Sequence, residues 1–441
     1  MDDLLGLATR VVGMATARGA DHAECWIEEG AGLDVDIEKG HVTATEFGRS
    51  RGGAVRVLQG GRVGFAYFTN DARAEVAAQQ ALDLARLAPD RPFPLPPASK
   101  AKAMAWRWDP AIAALRPESA LALASDLVAG AHETAPSAVV SGGIDMSWSR
   151  SAIANSEGVA SADQTTRMSA SASLVLPDGE RSINAFDGTT IHAGKLDAAA
   201  VGRGVGEVVM SLRGPSDAAT GRADLVLRPQ AGVELVLGLI AQAVDGDGAL
   251  QGRSFWSGRL GEAVAHPDLH LADDPLDRHG IGTVPFDGEG ARARRNDIIS
   301  GGTLQKWLFD ARDGARHGQP STGSAVRDGF KTQPGTGTHH LVLQGPARPE
   351  AQLVADIEHG FLVDSVLGAH TANATTGDFS VTAANVWHIR NGAVAGASRE
   401  VAIGGNLPEL LARLDAVSLE AKAMDGARMP SVRLRDVQVS V

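Results

Sequence analysis

The sequence holds a single cysteine, Cys25, among 441 residues. That count excludes an intramolecular disulfide and a cysteine-based zinc centre. Aromatic residues make up only 4% of the chain while glycine reaches 52 residues, a balance that favours close-packed strands and tight turns over a large aromatic core. Basic residues are outnumbered, 41 against 53 acidic, for a net charge of −12. Tight binding to nucleic-acid phosphates rests on lysine and arginine releasing counterions, and no basic run offsets the deficit, so no nucleic acid is expected as a partner. No apolar run approaches the ~18 residues needed to cross a bilayer. The opening Met-Asp-Asp-Leu-Leu lacks the basic start of a signal peptide. A cytoplasmic protein with no membrane partner is the expectation.

The hydrophobic content of 44% and charged content of 21% are ordinary for a globular chain, and the length suits two or three domains. Leu4, Leu7, Ala8, Val11, Val12 and Ala15 recur at helical spacing over 3–18. Short strands follow at Ala23, Cys25 and Ile27 and at Leu33, Val35 and Ile37, then a hairpin about Gly60-Gly61. A helix over 72–87 would carry Val76, Ala77, Ala81, Leu84 and Leu87 on one face. Residues 89–100 hold five prolines and no periodicity, the mark of a stiff linker. A helix over 117–132, strands about 144–148 and 168–176, and an alanine-rich helix near 196–211 make a second unit. The third opens with a strand at Leu225 and Leu227. An apolar helix over 230–244 comes next, started by Pro229. Hairpins about Gly301-Gly302 and Asn391-Gly392, a helix at Asn406 and terminal strands complete it. The expected fold class is α+β: an N-terminal helix–strands–helix unit over 1–95, a central α/β unit over 105–215 and a β-rich C-terminal domain over 222–441.

Two stretches hold the candidate chemistry. Residues 361–366 and 379–383 have strand character and bracket Asn373, Thr375, Thr376, Gly377 and Asp378. Small polar groups at a strand mouth are where scaffolds carry function, although Gly377 and Asp378 equally suit a tight turn. Asp287 and Glu289 alternate with glycine in Pro285-Phe286-Asp287-Gly288-Glu289-Gly290. In an extended backbone two such carboxylates share a face and can divide acid and base roles; a solvated acidic turn is the alternative.

Metal and nucleophile patterns are weaker. A zinc helix needs two ligands and a carboxylate on one face, yet the apolar helix over 231–245 contains no histidine. His132-Glu133 is cut short by Pro136. His266, His270, Asp273 and Asp274 form the densest ligand cluster, with Pro267 disfavouring a common helical face. His339 and His340 would point to opposite sides of a strand. Gly202, Gly204 and Gly206 lack the preceding strand of a nucleotide loop. Ser321, Thr322 and Thr376 offer hydroxyls, with His317 and His370 the nearest bases in sequence.

Several segments, in order along nearly the whole chain, resemble the TldD/PmbA family. They include Phe286-Asp287-Gly288-Glu289-Gly290, residues 295–304, Ser321-Thr322-Gly323, Thr376-Gly377-Asp378-Phe379-Ser380 and Ile403-Gly404-Gly405-Asn406. Residues 19–24, Val55-Arg56-Val57 and Gly64-Phe65-Ala66 fit as well. TldD-type chains carry a His-Glu-x-x-x-His helix and a distant cysteine that hold zinc for peptide hydrolysis. Here Leu237, Gly238 and Gln242 stand at the helix positions, and Ala423-Met424-Asp425-Gly426 stands near the cysteine. The departure is that of the PmbA arm, also called TldE. The resemblance implies a barrel-like C-terminal part at a subunit interface and a narrow cavity admitting unfolded peptides. It also implies no zinc in this chain, zinc in a TldD-type metallopeptidase partner, and a homodimer as an option alone. Asp287, Glu289, Asn373, Thr376, Gly377 and Asp378 are the candidates for the cavity or interface. The family's early naming as gyrase modulators implies the alternative, a stand-alone peptide- or protein-binding regulator.

Overall fold

Period-two alternation organises the first half of the computed structural model, which describes residues 2–90, 94–98 and 101–441. β1 (His22–Glu38) buries Cys25, Ile27, Leu33, Val35 and Ile37 on one face as a single strand. The two short strands expected there merge because Gly30 and Gly32 stay paired through the middle. With β2 (His41–Gln59), β3 (Arg62–Phe68), β4 (Val139–Asn155), β5 (Ala160–Asp178) and β6 (Arg181–Ile191) it forms a six-stranded antiparallel sheet in the order β3-β2-β1-β4-β5-β6. The register runs unbroken from Glu24 opposite Asn155 to Ile37 opposite Gly142, so strands from the first two units share one sheet.

Helices cover one face of that sheet. α1 (Asp2–Ala17) and α2 (Ala74–Ala85) pack Leu4, Val11, Ala78 and Leu82 on Cys25, Ile27, Val55 and Val57. α3 (Pro117–Thr134) and α4 (Ala198–Ser211) bring Leu127, Ala131, Val205 and Val209 to Leu33, Val35, Ile144 and Leu174. The face predicted for α2 needs correction. Its buried stripe is Ala74, Ala77, Ala78, Ala81, Leu82 and Ala85, while Val76, Leu84 and Leu87 are exposed. Small side chains win because β3 lies against the helix backbone: a Cβ on Gly64 would sit 1.8 Å from the Ala81 carbonyl. The glycines of α4 serve the same end, since a Cβ on Gly202 would meet the Leu127 carbonyl at 2.1 Å. The opposite sheet face is small and polar, with Asp34 opposite Asp145 and Gly32 opposite Ser147.

Part of the proline-rich linker, residues 91–93, 99 and 100, lies outside the described residues. Between them the Pro96 carbonyl accepts the Asn155 side-chain amide at 2.9 Å, and Ala98 N donates to the Glu157 carbonyl at 3.2 Å, fixing this stretch along the turn after β4.

The last half closes a barrel. β7 (Gly221–Leu227), β8 (His359–Leu367), β9 (Asp378–Arg390), β10 (Val401–Asn406) and β11 (Ala427–Ser440) follow one another by pairing, and β11 returns to β7, from Val432 opposite Leu227 to Val439 opposite Gly221. Closure leaves this ring without a free edge. α5 runs as three consecutive segments, Pro229–Ala231, Gly232–Leu237 and Gly238–Ala243. Its Leu235, Leu239 and Ile240 join Val363, Val381, Ile403 and Val432 in one core. α6 (Leu407–Ala412) starts as expected, with Asn406 as N-cap and proline in the first turn. The α+β class and the barrel-like C-terminal part thus both hold. Among the described residues no helix is long and apolar enough to cross a membrane.

Candidate functional site

α5 stands where the family's metal helix is expected. Its middle segment is a π-helix, a local over-wide turn often found at functional sites. Most of α5 is buried, but half-buried Glu234 and exposed Gly238 and Gln242 form one stripe at four-residue spacing. Glu234 accepts the Gln230 amide at 2.7 Å and the Val366 N–H at 2.8 Å, tying helix to barrel. The Gln242 amide donates to the carbonyl of Gly238 at 3.2 Å. Leu237 is buried in the core. Zinc takes thiolate, imidazole or carboxylate ligands. An alkyl side chain, a glycine and an amide turned onto its own helix do not fit that ion. Among the described residues no group of three histidine, cysteine or acidic side chains is placed to hold a metal ion.

Asp287 and Glu289 are buried where the C-terminal half meets the sheet. The Asp287 carboxylate shapes a tight turn, accepting N–H groups of Glu289 at 3.0 Å, Ala291 at 2.9 Å and Ala325 at 3.2 Å. Glu289 turns away from it. Its oxygens accept the Arg56 guanidinium at 2.9 Å and the Ala311 N–H at 2.8 Å. Arg56 also donates to Glu24 at 2.9 Å, and Arg327 completes the set by pairing with Glu24. Two strands of the sheet and two loops of the C-terminal half are thereby joined by charges hidden from water. Burial, then the neighbouring Glu289 charge, pushes the Asp287 carboxyl up to about 7. The same two causes push Asp310 up to about 7. Asp287 also lines a cavity of about 450 Å³ with Arg107, Arg150 and His339.

Residues 373–378 form an exposed turn held from three sides. The Asn373 side-chain amide oxygen accepts N–H groups of Thr375 at 2.9 Å and Thr376 at 3.3 Å. Gly377 takes φ of 84°, and a Cβ there would lie 2.5 Å from Pro408. Asp378 accepts the Asn406 amide at 2.9 Å and the Thr376 hydroxyl at 2.7 Å, bonds that hold its carboxyl below the usual range. Among the described residues no hydrogen bond or ion pair joins this turn to Asp287 or Glu289.

The remaining candidates separate into distinct tasks. Asp273 accepts the N–H groups of His339 at 2.9 Å and His340 at 2.8 Å. Asp274 pairs with Arg295 at 3.0 Å, and His270 accepts the Gly301 N–H at 3.3 Å. The His317 ring meets Asp247 at 2.8 Å, whereas the Thr322 hydroxyl bonds to Phe309 and Ser324. Among the described residues no histidine ring bonds to Ser321, Thr322 or Thr376. Sequence reasoning gave no role to Glu24, Arg56 and Arg327. Their signal is a charged residue between apolar neighbours, as in Val55-Arg56-Val57, but the partners lie up to 303 residues apart.

Family models match the chain in three consecutive pieces. They are described as PmbA/TldA metallopeptidase domain 1 over 23–85, central domain over 110–213 and C-terminal domain over 220–441. Metalloprotease PmbA of Escherichia coli O157:H7 is 25% identical over 434 residues, 96% of this chain and 92% of that protein. A metalloprotease of Methanothermobacter thermautotrophicus is 28% identical over 394 residues, covering 86% and 84%. TldE from Thermococcus kodakarensis superposes with a TM-score of 0.91 at 22% identity, covering 99% of this chain and 100% of that one. A candidate modulator of a DNA gyrase from Thermotoga maritima also reaches 0.91, at 19% identity and 99% of both chains. At those identities the two structures speak for the fold alone, whereas the family models span all three parts, and the chain belongs to the PmbA/TldD family.

Proposed function

We propose that this chain is a non-catalytic subunit of a TldD/PmbA-type zinc metallopeptidase complex that acts on unfolded peptides in the cytoplasm. The observation that carries the reading is α5, where Leu237, Gly238 and Gln242 replace the residues a zinc helix needs. A TldD-type partner would supply the zinc and the hydrolysis. This subunit would complete the enclosure, which excludes folded proteins by size and holds an extended backbone near attack geometry. Asn373, Thr376 and Asp378, exposed on the turn that Gly377 shapes, are assigned to the cavity or the subunit interface. Asp287 and Glu289 are assigned to the same enclosure, through the wall they hold together.

The test is co-expression with a TldD-type chain carrying the His-Glu-x-x-x-His helix. The reading expects co-purification and peptide cleavage that neither chain shows to the same extent alone. If Asp378→Ala and Glu289→Ala leave both complex formation and cleavage intact, the site assignment is removed. The gyrase-modulator description of the Thermotoga relative supports a second reading, a stand-alone regulator that clasps a protein without hydrolysis. Failure to associate with the TldD-type chain, together with direct binding to gyrase, would favour it.

A further inference from the structure

The small, polar face of the six-stranded sheet floors the cavity of about 450 Å³ that Asp287 borders. Gly30, Ser149 and Thr165 stand opposite one another across β1, β4 and β5, and Glu28, Ser151 and Asp163 form the neighbouring row. Directly opposite residues share a face, so both rows look into the cavity, and loops of the C-terminal half roof it. Arg107 enters from the side. It ends a single helical turn, Ala105–Arg107, beside the part of β5 that precedes Met168, where pairing with β6 begins. Its carbonyl accepts the Thr166 hydroxyl at 3.3 Å, and the same hydroxyl oxygen accepts the Asp109 N–H at 2.9 Å, which fixes the backbone that carries the guanidinium.

The hydrogen bonds at this wall are incomplete. The Arg107 side chain is 4% exposed and makes one hydrogen bond among the described residues, from Nη1 to Asp163 at 2.6 Å. Nε and Nη2, the other edge of the fork, have no acceptor there, and Nε is buried. A buried donor without a partner is costly, and a ligand that brings the acceptor removes that cost. Asp163 uses one carboxylate oxygen on Arg107 and leaves the other without a partner among the described residues. The Ser149 and Ser151 hydroxyls make no hydrogen bond there either, and Ser149 is exposed, so solvent reaches the floor. The other charges are already matched. Arg327 holds Glu24, and Glu28 accepts the Trp26 indole N–H at 2.9 Å and the Phe330 N–H at 3.3 Å. A ligand with net charge would upset this balance, whereas a zwitterion keeps it. Half-buried Trp26, Val284 and Val326 supply an apolar wall.

We propose that this cavity binds a free α-amino acid with an apolar side chain. The α-carboxylate accepts from Arg107 Nε and Nη2, the two-pronged contact that a guanidinium offers a carboxylate. The α-ammonium donates to the free oxygen of Asp163, with the Ser149 and Ser151 hydroxyls as further partners. A free amino acid carries both charged groups on one carbon, side by side like the Arg107–Asp163 pair that reads them, whereas a peptide holds them at opposite ends. The apolar side chain lies against Trp26 and Val326. Every contact comes from this one chain, so binding requires neither a partner nor a metal.

L-phenylalanine and L-leucine are titrated into the full chain by isothermal calorimetry. Saturable binding of at least one is expected. The analogues that lack its ammonium (hydrocinnamate or isocaproate) or its carboxylate (phenethylamine or isoamylamine) bind roughly tenfold or more weakly, as for a lost charge-assisted bond. Arg107→Lys keeps a cation beside Asp163 but removes the fork, and it lowers affinity by a similar factor. Ser149→Phe fills the cavity from its exposed floor, leaves the Arg107–Asp163 pair in place and abolishes binding with the melting temperature unchanged. That variant keeps the test open if Arg107→Lys does not fold. No saturable binding of either amino acid up to about 10 mM, an analogue that binds as well as its parent, undiminished affinity in folded Arg107→Lys, or full binding by Ser149→Phe would each overturn the proposal.

Discussion

Replacing Arg56 by methionine probes the junction between the sheet and the C-terminal half. The guanidinium is 3% exposed and donates to Glu24 and Glu289, each at 2.9 Å, and both carboxylates are 1% exposed. Methionine keeps much of the volume, so the cavity contribution is small. What changes is electrostatic. Glu24 retains Arg327, but Glu289 loses its ion-pair partner, keeps the Ala311 N–H, and faces Asp287 and Asp310 with only the more distant charge of Arg327, itself paired to Glu24. Removing one partner of a buried pair costs about 3–5 kcal/mol. Calorimetry and urea denaturation of wild type and Arg56→Met at pH 7 should show that loss. The double variant Arg56→Met/Glu289→Met should recover most of it, because an apolar replacement of a whole buried pair is often near neutral. A single variant within about 1 kcal/mol of wild type would mean that the pair behaves as a solvated surface bridge, and would refute the reasoning.

Further predictions follow from the same contacts. Asp287 and Asp310 are both held near 7, so the folded protein keeps protons that an unfolded chain releases near ~4. Their contribution to stability is full below about pH 4 and is lost as pH rises toward 7. Urea midpoints from pH 5 to 8 should therefore fall, and less steeply in Asp310→Asn. Gly64→Ala drives a Cβ into the Ala81 carbonyl, and thermal denaturation should show a loss of about 1–3 kcal/mol. Gly377→Ala meets both a positive φ and Pro408. A loss of about 1–3 kcal/mol is expected in the same assay, with weaker association of the partner chain if the turn lies at the interface.

Local signals located the helices well. Pro229 and the Asn406 cap with Pro408 mark starts that the structure keeps, and Gly60-Gly61 marks the β2–β3 turn. Signals failed where structure depends on distant partners. Nothing near His22–Glu38 announces that one long strand pairs with β4 over a hundred residues away. β6 was missed because its residues are mostly small or polar, as suits an edge with one face on a cleft. The α2 face was misread because leucine and valine outweigh alanine in any hydrophobicity count, whereas close approach to β3 requires alanine. The candidate carboxylates were legible as a motif. Their burial was not, since the compensating Arg56 lies 233 residues from Glu289. Residues 373–378 were legible both as a polar loop and as a turn, and they form a turn braced by Asn406.

The central claim is that this chain depends on a partner's metal, and metal content tests it most directly. The full chain, expressed alone and purified without chelator, is analysed for zinc by mass spectrometry. The account predicts less than about a tenth of an equivalent per chain. Close to one equivalent of tightly held zinc would contradict it and return attention to His266, His270, Asp273 and Asp274.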